Sequence, residues 1–224
     1  MTAKMIRQTL GFIVVLGLLL FLSAGRLDWP GAWLFLLESS LLGLAAGIAL
    51  ARRDPALLAE RMRPILQRRQ PAWDKRLMAV ALVLWTAWFL AMGLEQRFGQ
   101  LRLPGWTMAP GALFVALCFY IVHLTFRENS FAAPVVKLQT ERGHKVVSTG
   151  PYAIVRHPMY AGAGFYFLGA PLMLGSIVGL VAAPAMIAIL GFRAVLEERT
   201  LKQGLPGYGD YMARVRYRLI PGIW

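Results

Sequence analysis

Residues 161–190 read AGAGFYFLGAPLMLGSIVGLVAAPAMIAIL, thirty consecutive positions without a charged side chain. One membrane span takes about 20 apolar residues, so this run is too long for one helix and long enough for two. Near its middle, Ala170-Pro171-Leu172-Met173-Leu174-Gly175-Ser176 brings Pro and Gly together, the punctuation of a tight turn. The run therefore reads as a helical hairpin with arms over 159–173 and 176–194, each slightly short or extending past the bilayer at its charged end. Four earlier apolar blocks, near 9–24, 31–51, 77–94 and 110–126, bring the expectation to about six transmembrane helices. The fold class is all-α: a polytopic helical membrane bundle whose C-terminal hairpin carries a cytoplasmic site.

Composition supports the same class. Across 224 residues the hydrophobic share is 58% and the charged share only 16%, against roughly 45–50% and about 25% in soluble domains. The blocks leave no room for a separate soluble catalytic domain, so residues 1–224 are expected to form a single membrane domain. Within it, 1–126 would hold the N-terminal helices and 127–224 a catalytic region of polar loop, hairpin and interfacial C-terminal helix. The single cysteine, Cys118, excludes an intrachain disulfide or a cysteine-metal cluster. Lys4 and Arg7 before an apolar stretch ending in Ser23-Ala24-Gly25 have the outline of a cleavable signal peptide. The block also fits a first helix, and the later spans need no secretion signal, so it is expected to be retained.

The net charge of +13 has a topological explanation. With the N-terminus in the cytoplasm, 21 of the 24 Lys and Arg residues fall on that side, and only Arg26, Arg97 and Arg102 on the other. Every loop then obeys the positive-inside rule. Both termini are expected to be cytoplasmic, and no nucleic-acid partner is implied. Asp54-Pro55 reads as an N-cap and first helical position. Leu57, Leu58, Met62, Ile65 and Leu66 would lie on one side of that helix, which Pro64 interrupts. Arg52, Arg53, Arg61, Arg63, Arg68 and Arg69 would face anionic headgroups. Tyr208, Tyr211, Met212, Val215 and Leu219 follow helical spacing beside Arg214, Arg216 and Arg218, and read as a second surface-lying helix. Gly43 and Gly47 form a small-residue pair suited to close helix packing.

Polar chemistry concentrates between Glu141 and Tyr160, just before the hairpin, and again at Arg193, Glu197, Glu198 and Arg199, just after it. A hairpin returns both ends to one membrane face, so these groups should meet although some forty residues separate them. On spacing alone Arg193, Glu197, Glu198 and Arg199 could equally be ion pairs on a helix surface. His144 and His157 lack a third ligand at a recognised spacing, so no metal is expected. His123 reads as a packed helix residue. Neither a phosphate-cradling loop nor a dinucleotide fingerprint is present.

Gly150-Pro151-Tyr152, then Arg156-His157-Pro158-Met159-Tyr160, an uncharged hairpin, Glu197-Glu198, and finally Tyr208, Tyr211 and Ile220-Pro221 together resemble the isoprenylcysteine carboxyl methyltransferase family of membrane enzymes. The phospholipid N-methyltransferases share a related pattern. The resemblance covers roughly Gln139 to Pro221 and implies methyl transfer from S-adenosylmethionine at the cytoplasmic face. It places Gln139, His144, Lys145, Val146, Val147, Tyr152, His157, Pro158, Met159, Tyr160 and Glu197 on the family's cofactor-binding positions, and Arg193 on its substrate arginine. Arg156, inside the motif, is expected to bind a ligand rather than headgroups. A carboxylate acceptor needs no base, whereas an amine must lose a proton, for which Glu198 or a lipid phosphate is the expected acceptor. The implied partner is a lipophilic small molecule or prenylated acceptor entering from the bilayer. Three other readings compete: a phospholipid N-methyltransferase, a sterol-type membrane reductase using a nicotinamide cofactor, and a non-enzymatic scaffold or transporter. A transporter would want an ionisable residue in mid-span, for which only Glu38 and His123 are candidates.

Overall fold

The computed structural model describes residues 2–67 and 70–224. The chain is helical, with no strand among the described residues. Its helices are α1 (Thr2–Ala24), α2 (Pro30–Arg53), α3 (Pro55–Arg61), α4 (Ala72–Phe98), α5 (Met108–Glu128), α6 (Pro158–Leu174), α7 (Ile177–Gly204) and α8 (Tyr208–Arg214). Five of them, α1, α2, α4, α7 and α5 with its leading turn, are long and apolar enough to cross a membrane. At 1.5 Å per residue the 28 residues of α7 extend about 42 Å, past a hydrocarbon core of about 30 Å. The 17 residues of α6 reach only about 26 Å. The hairpin arms are thus unequal, and α7 carries its charged last turns beyond its apolar body.

The hairpin turn falls at Gly175-Ser176, inside the Pro-Gly cluster and where the two expected arms meet. Helix α6 runs through Pro171 and ends at Gly175, whose φ of 68° is the left-handed conformation open to glycine. Ser176 then caps α7 by accepting from the Gly179 amide at 2.9 Å. At the same end Glu95 of α4 accepts from the Ile177 and Val178 amides, both at 3.1 Å. A carboxylate there satisfies orphan donors and opposes the helix dipole. Trp88 donates to the Gly179 carbonyl at 2.9 Å and Trp29 to that of Leu174 at 3.2 Å, tying α4 and the start of α2 to the turn.

One apolar core joins residues of six helices, among them Leu20, Phe35, Phe89, Val115, Met173 and Ala183. Large apolar side chains such as Val14, Val83, Leu113 and Val181 face outward, as a lipid-bathed surface requires. Between α5 and α6 the backbones touch: a Cβ on Gly111 would lie 2.7 Å from the Met173 nitrogen, and one on Gly169 would lie 2.7 Å from the Gly111 oxygen. The expected Gly43/Gly47 pair does pack closely, with Gly47 against Met5 and Gly43 near Thr9.

The two presumed interfacial helices differ from expectation. Asp54 caps α3 as its sequence indicates, accepting from the Leu57 amide at 2.8 Å, and the helix stops before Pro64. Leu57 and Leu58, however, are buried against Met5, Leu50 and Ala132 rather than turned toward lipid. Helix α8 is only seven residues long, and Tyr208, Tyr211 and Val215 are core residues packed on Tyr152, Val146 and Leu138. A helical pattern alone does not say whether an apolar face meets lipid or protein. Arg52, Arg53 and Arg63 are exposed as expected, while Arg68 and Arg69 lie outside the described residues.

Candidate active site

The connection from Asn129 to His157 has no long helix of its own. It turns twice in short 3-10 segments, Thr140–Arg142 and Gly150–Ala153, and is held by side chains from elsewhere. Arg156 is the main fastener. Its Nε donates to Glu198 at 2.6 Å, and its Nη1 donates to the carbonyls of Val215 and Arg216 at 2.7 and 2.8 Å. The chain after α8 returns alongside: the amides of Arg156 and His157 donate to the carbonyls of Tyr217 and Arg218, both at 2.9 Å. Arg218 donates its Nε to the second Glu198 oxygen at 2.9 Å, and His157 Nε2 stands 3.3 Å from the first. The two ends of the hairpin thus meet, as the uncharged run requires, and the C-terminal residues lock them.

This arrangement borders an open cleft lined by polar, aromatic and apolar side chains together. Of the residues expected at a site, His144, Lys145, Val146, Val147, Tyr152, Arg156, His157, Pro158, Met159, Tyr160, Arg193 and Glu197 line it. Two expected residues do not. Gln139 is 1% exposed; its amide nitrogen donates to the Phe131 carbonyl at 2.8 Å and its oxygen accepts from Arg142 at 2.5 Å. It braces the loop from behind. Glu198, 3% exposed, also lies outside the lining. Its oxygens are occupied by Arg156, Arg218 and His157, so it is a structural clamp and ill placed to accept a proton from a substrate amine.

On the wall built by α6 and α7, polar groups form a chain. Tyr160 donates its hydroxyl to Glu197 at 2.6 Å, its ring stacks on His157 with centroids 5.4 Å apart, and the Arg193 guanidinium lies 5.6 Å from its ring centre. Arg193 in turn donates Nε to Asp74 Oδ1 at 2.9 Å and Nη2 to the Pro134 carbonyl at 3.0 Å. Asp74, fully buried in the first turn of α4, also accepts from Gln70 at 2.8 Å and from the Val136 amide at 3.0 Å. An arginine expected to face a substrate carboxylate already carries one from its own chain.

On the opposite wall, the Asn129 side-chain Nδ2 donates to the Tyr152 hydroxyl at 2.8 Å, while the Tyr152 carbonyl accepts from the Tyr211 hydroxyl at 2.8 Å. Burial pushes the Tyr152 hydroxyl well above the usual phenol range, so it stays a neutral donor. His144 stacks on Phe131 at 4.6 Å, and its Nδ1 accepts from the Gln139 amide at 3.3 Å. Burial, then the nearby Arg142, pull its pKa below the ordinary value, which keeps the ring neutral. Lys137, also on the lining, is buried and paired with Glu60 of α3, and it donates to Gln67 at 2.9 Å.

Sequence reasoning missed Asp74, Asn129, Phe131, Lys137 and Leu201, and it counted Tyr208 and Tyr211 in the resembling pattern without expecting them on the cleft. Asp74 carried one usable signal: an acidic residue at the start of an apolar block in a strongly basic segment. Arg61, expected at headgroups, instead donates to the Ala132 carbonyl at 2.8 Å and lies over the Phe126 ring at 4.4 Å. Among the described residues no group of three His, Cys, Asp or Glu could hold a metal.

Residues 106–206 match the family described as phospholipid methyltransferase, and they contain the cleft lining apart from Tyr208 and Tyr211. The matched stretch is somewhat under half of the chain. A relative, protein-S-isoprenylcysteine O-methyltransferase B of Arabidopsis thaliana, is 32% identical over 83 residues, which cover 36% of this chain and 42% of that protein. The chain therefore spans under half the length of the curated relative it matches. Both similarities agree with the resemblance carried by Gly150-Pro151-Tyr152 and Arg156 to Tyr160. The matched region begins just before α5, and α1 to α4 lie ahead of it.

Proposed function

We propose that this protein is an integral membrane methyltransferase that transfers a methyl group from S-adenosylmethionine to a lipophilic acceptor at the cytoplasmic face, most like a prenylated-cysteine carboxyl O-methyltransferase. The observation that carries the reading is the cleft at the meeting of the hairpin's two ends, where the stacked His157 and Tyr160 rings, Glu197 and Arg193 share one wall within the methyltransferase region. The 21 basic residues that the topology assigns to one side support a cytoplasmic placement of both termini and the cleft.

The residues present fit such a donor. In the open cleft Tyr152 and Tyr160 offer aromatic faces to a cation, and Glu197 offers a carboxylate to an ammonium or to hydroxyls. The neutral His144 and the backbone of Lys145 to Val147 suit a slot for an aromatic base. When bound, the donor supplies a methyl carbon on a positively charged sulfur, open to attack. An acceptor carboxylate is ionised near neutral pH, so the protein's task is orientation and exclusion of water. Arg193, held rigid by Asp74 and the Pro134 carbonyl, would guide the acceptor's anionic end, and Tyr160 keeps Glu197 aligned on the donor side.

The matched family's description supports a phospholipid amine as the second reading. In that case Glu197 is the carboxylate with access to the cleft, since Glu198 is occupied.

Calorimetry of S-adenosylhomocysteine binding to protein in detergent tests the reading, followed by labelled-methyl transfer to farnesylated N-acetylcysteine and to phosphatidylethanolamine vesicles. Failure to bind S-adenosylhomocysteine would sink the proposal, and the preferred acceptor decides between carboxylate and amine.

A further inference from the structure

Three of the four cations on the cleft lining are paired with carboxylates of the chain, the exposed Lys145 being the fourth. Arg193 is paired with Asp74, Arg156 with Glu198, and Lys137 with Glu60. Arg61 is different. It stands at the end of α3, half-buried, with its Nη1 donating to the Ala132 carbonyl at 2.8 Å and lying 3.7 Å from the Met159 sulfur. Its guanidinium is 4.4 Å from the centre of the Phe126 ring. Among the described residues no carboxylate lies within ion-pair distance of it.

Ala132 and Met159 line the cleft, so Arg61, itself not a lining residue, packs directly against that lining through both contacts. Its surroundings are a ring, a thioether and one neutral carbonyl. Desolvation lowers its pKa to about 10, which still leaves it charged near neutral pH. A partly desolvated cation without a counter-ion is costly and becomes favourable when an anion arrives, because guanidinium and carboxylate or phosphate match in geometry.

We propose that Arg61 binds the anionic oxygen group of the incoming acceptor, the carboxylate of a prenylated cysteine or the phosphate of a phospholipid. The inference rests on the methyltransferase reading above and adds a residue to it. Arg193, neutralised by Asp74, sets direction; Arg61 supplies the unbalanced charge. This binding residue lies in α3, ahead of the matched region, and ties the N-terminal half to substrate selection.

The test uses full-length protein in detergent with Arg61→Gln, which can still donate to the Ala132 carbonyl, and Arg61→Lys, which keeps the charge. S-adenosylhomocysteine affinity is measured by calorimetry, and kcat and KM with farnesylated N-acetylcysteine and with phosphatidylethanolamine in phosphatidylcholine vesicles. Arg61→Gln should raise KM for the methylated acceptor roughly tenfold or more, as loss of a charge-assisted contact implies, with S-adenosylhomocysteine affinity within about twofold of wild type. Arg61→Lys should recover part of the loss. A KM shift with the farnesylated compound assigns the anion as its carboxylate, and one with the lipid as its phosphate. An unchanged KM in Arg61→Gln overturns the role of Arg61 while leaving the methyltransferase reading intact. Equal loss of S-adenosylhomocysteine and acceptor binding also overturns it, because Arg61 would then only hold α3 in place. A wild-type protein that binds no S-adenosylhomocysteine, or methylates neither acceptor, defeats the functional reading and this inference with it.

Discussion

Replacing Asp74 tests whether the buried pair with Arg193 organises the cleft. Asp74 is fully buried and accepts from Arg193, Gln70 and the Val136 amide. Asp74→Leu leaves a mostly buried guanidinium without its counter-ion, a change that costs about 3–5 kcal/mol in comparable sites. Val136 lines the open cleft, so water can satisfy the neutral donors left behind and no separate cost is counted for them. Because Arg193 borders the cleft and can draw in water, the lower end applies, about 3–4 kcal/mol. For a chain of this size that corresponds to a fall in Tm of about 6–16 °C. Thermal melts in detergent read it directly. The double variant Asp74→Leu with Arg193→Met removes both charges and should recover most of the loss, since an apolar pair of similar volume is often neutral. A fall below about 2 °C in Asp74→Leu, or simple additivity in the double variant, would refute the reasoning.

The remaining expectations follow from the same geometry. Tyr152→Ala and Glu197→Gln should each weaken S-adenosylhomocysteine binding, roughly tenfold or more as for loss of a buried aromatic or charge-assisted contact, while Arg193→Ala should impair acceptor use more than cofactor affinity; calorimetry beside steady-state kinetics separates them. His144 is held neutral, its pKa below 6.5, so its contribution to stability is complete above about pH 6.5 and is lost as pH falls through the folded pKa. Melts between pH 5 and 8 should show this loss, and His144→Gln should flatten it. Glu198→Gln should cost about 3 kcal/mol by leaving Arg156 and Arg218 without their shared carboxylate, and should loosen the C-terminal residues to proteolysis. Gly111→Val should separate α5 from α6, where a Cβ already meets backbone at 2.7 Å, and abolish a cooperative melt.

Much of the site was legible because it is local. Twelve of the fourteen expected residues line the cleft, and most come from two short segments, His144–Val147 and Tyr152–Tyr160, whose motif is contiguous. Glu197 and Arg193 followed from the hairpin alone. Gln139 and Glu198 were displaced because identity does not tell a residue that faces a ligand from one that braces its neighbour. The interfacial reading of α3 and α8 failed for a related reason: an apolar stripe at helical spacing is the same for lipid and for a protein core, and Tyr211 with Leu57 turned inward.

Hydropathy and charge, both additive along the chain, determined the helical class, the six apolar blocks, the hairpin and the asymmetry of basic residues. These are properties of segments, and the bilayer imposes them whatever the neighbours are. The tertiary structure alone decided which charges are satisfied. Arg193 meets Asp74 across 119 positions, Arg156 meets Glu198 across 42, and Lys137 meets Glu60 across 77. Pairing depends on distance in space, which no local pattern encodes, and the same packing that balanced these three left Arg61, against the cleft lining, without a carboxylate partner among the described residues.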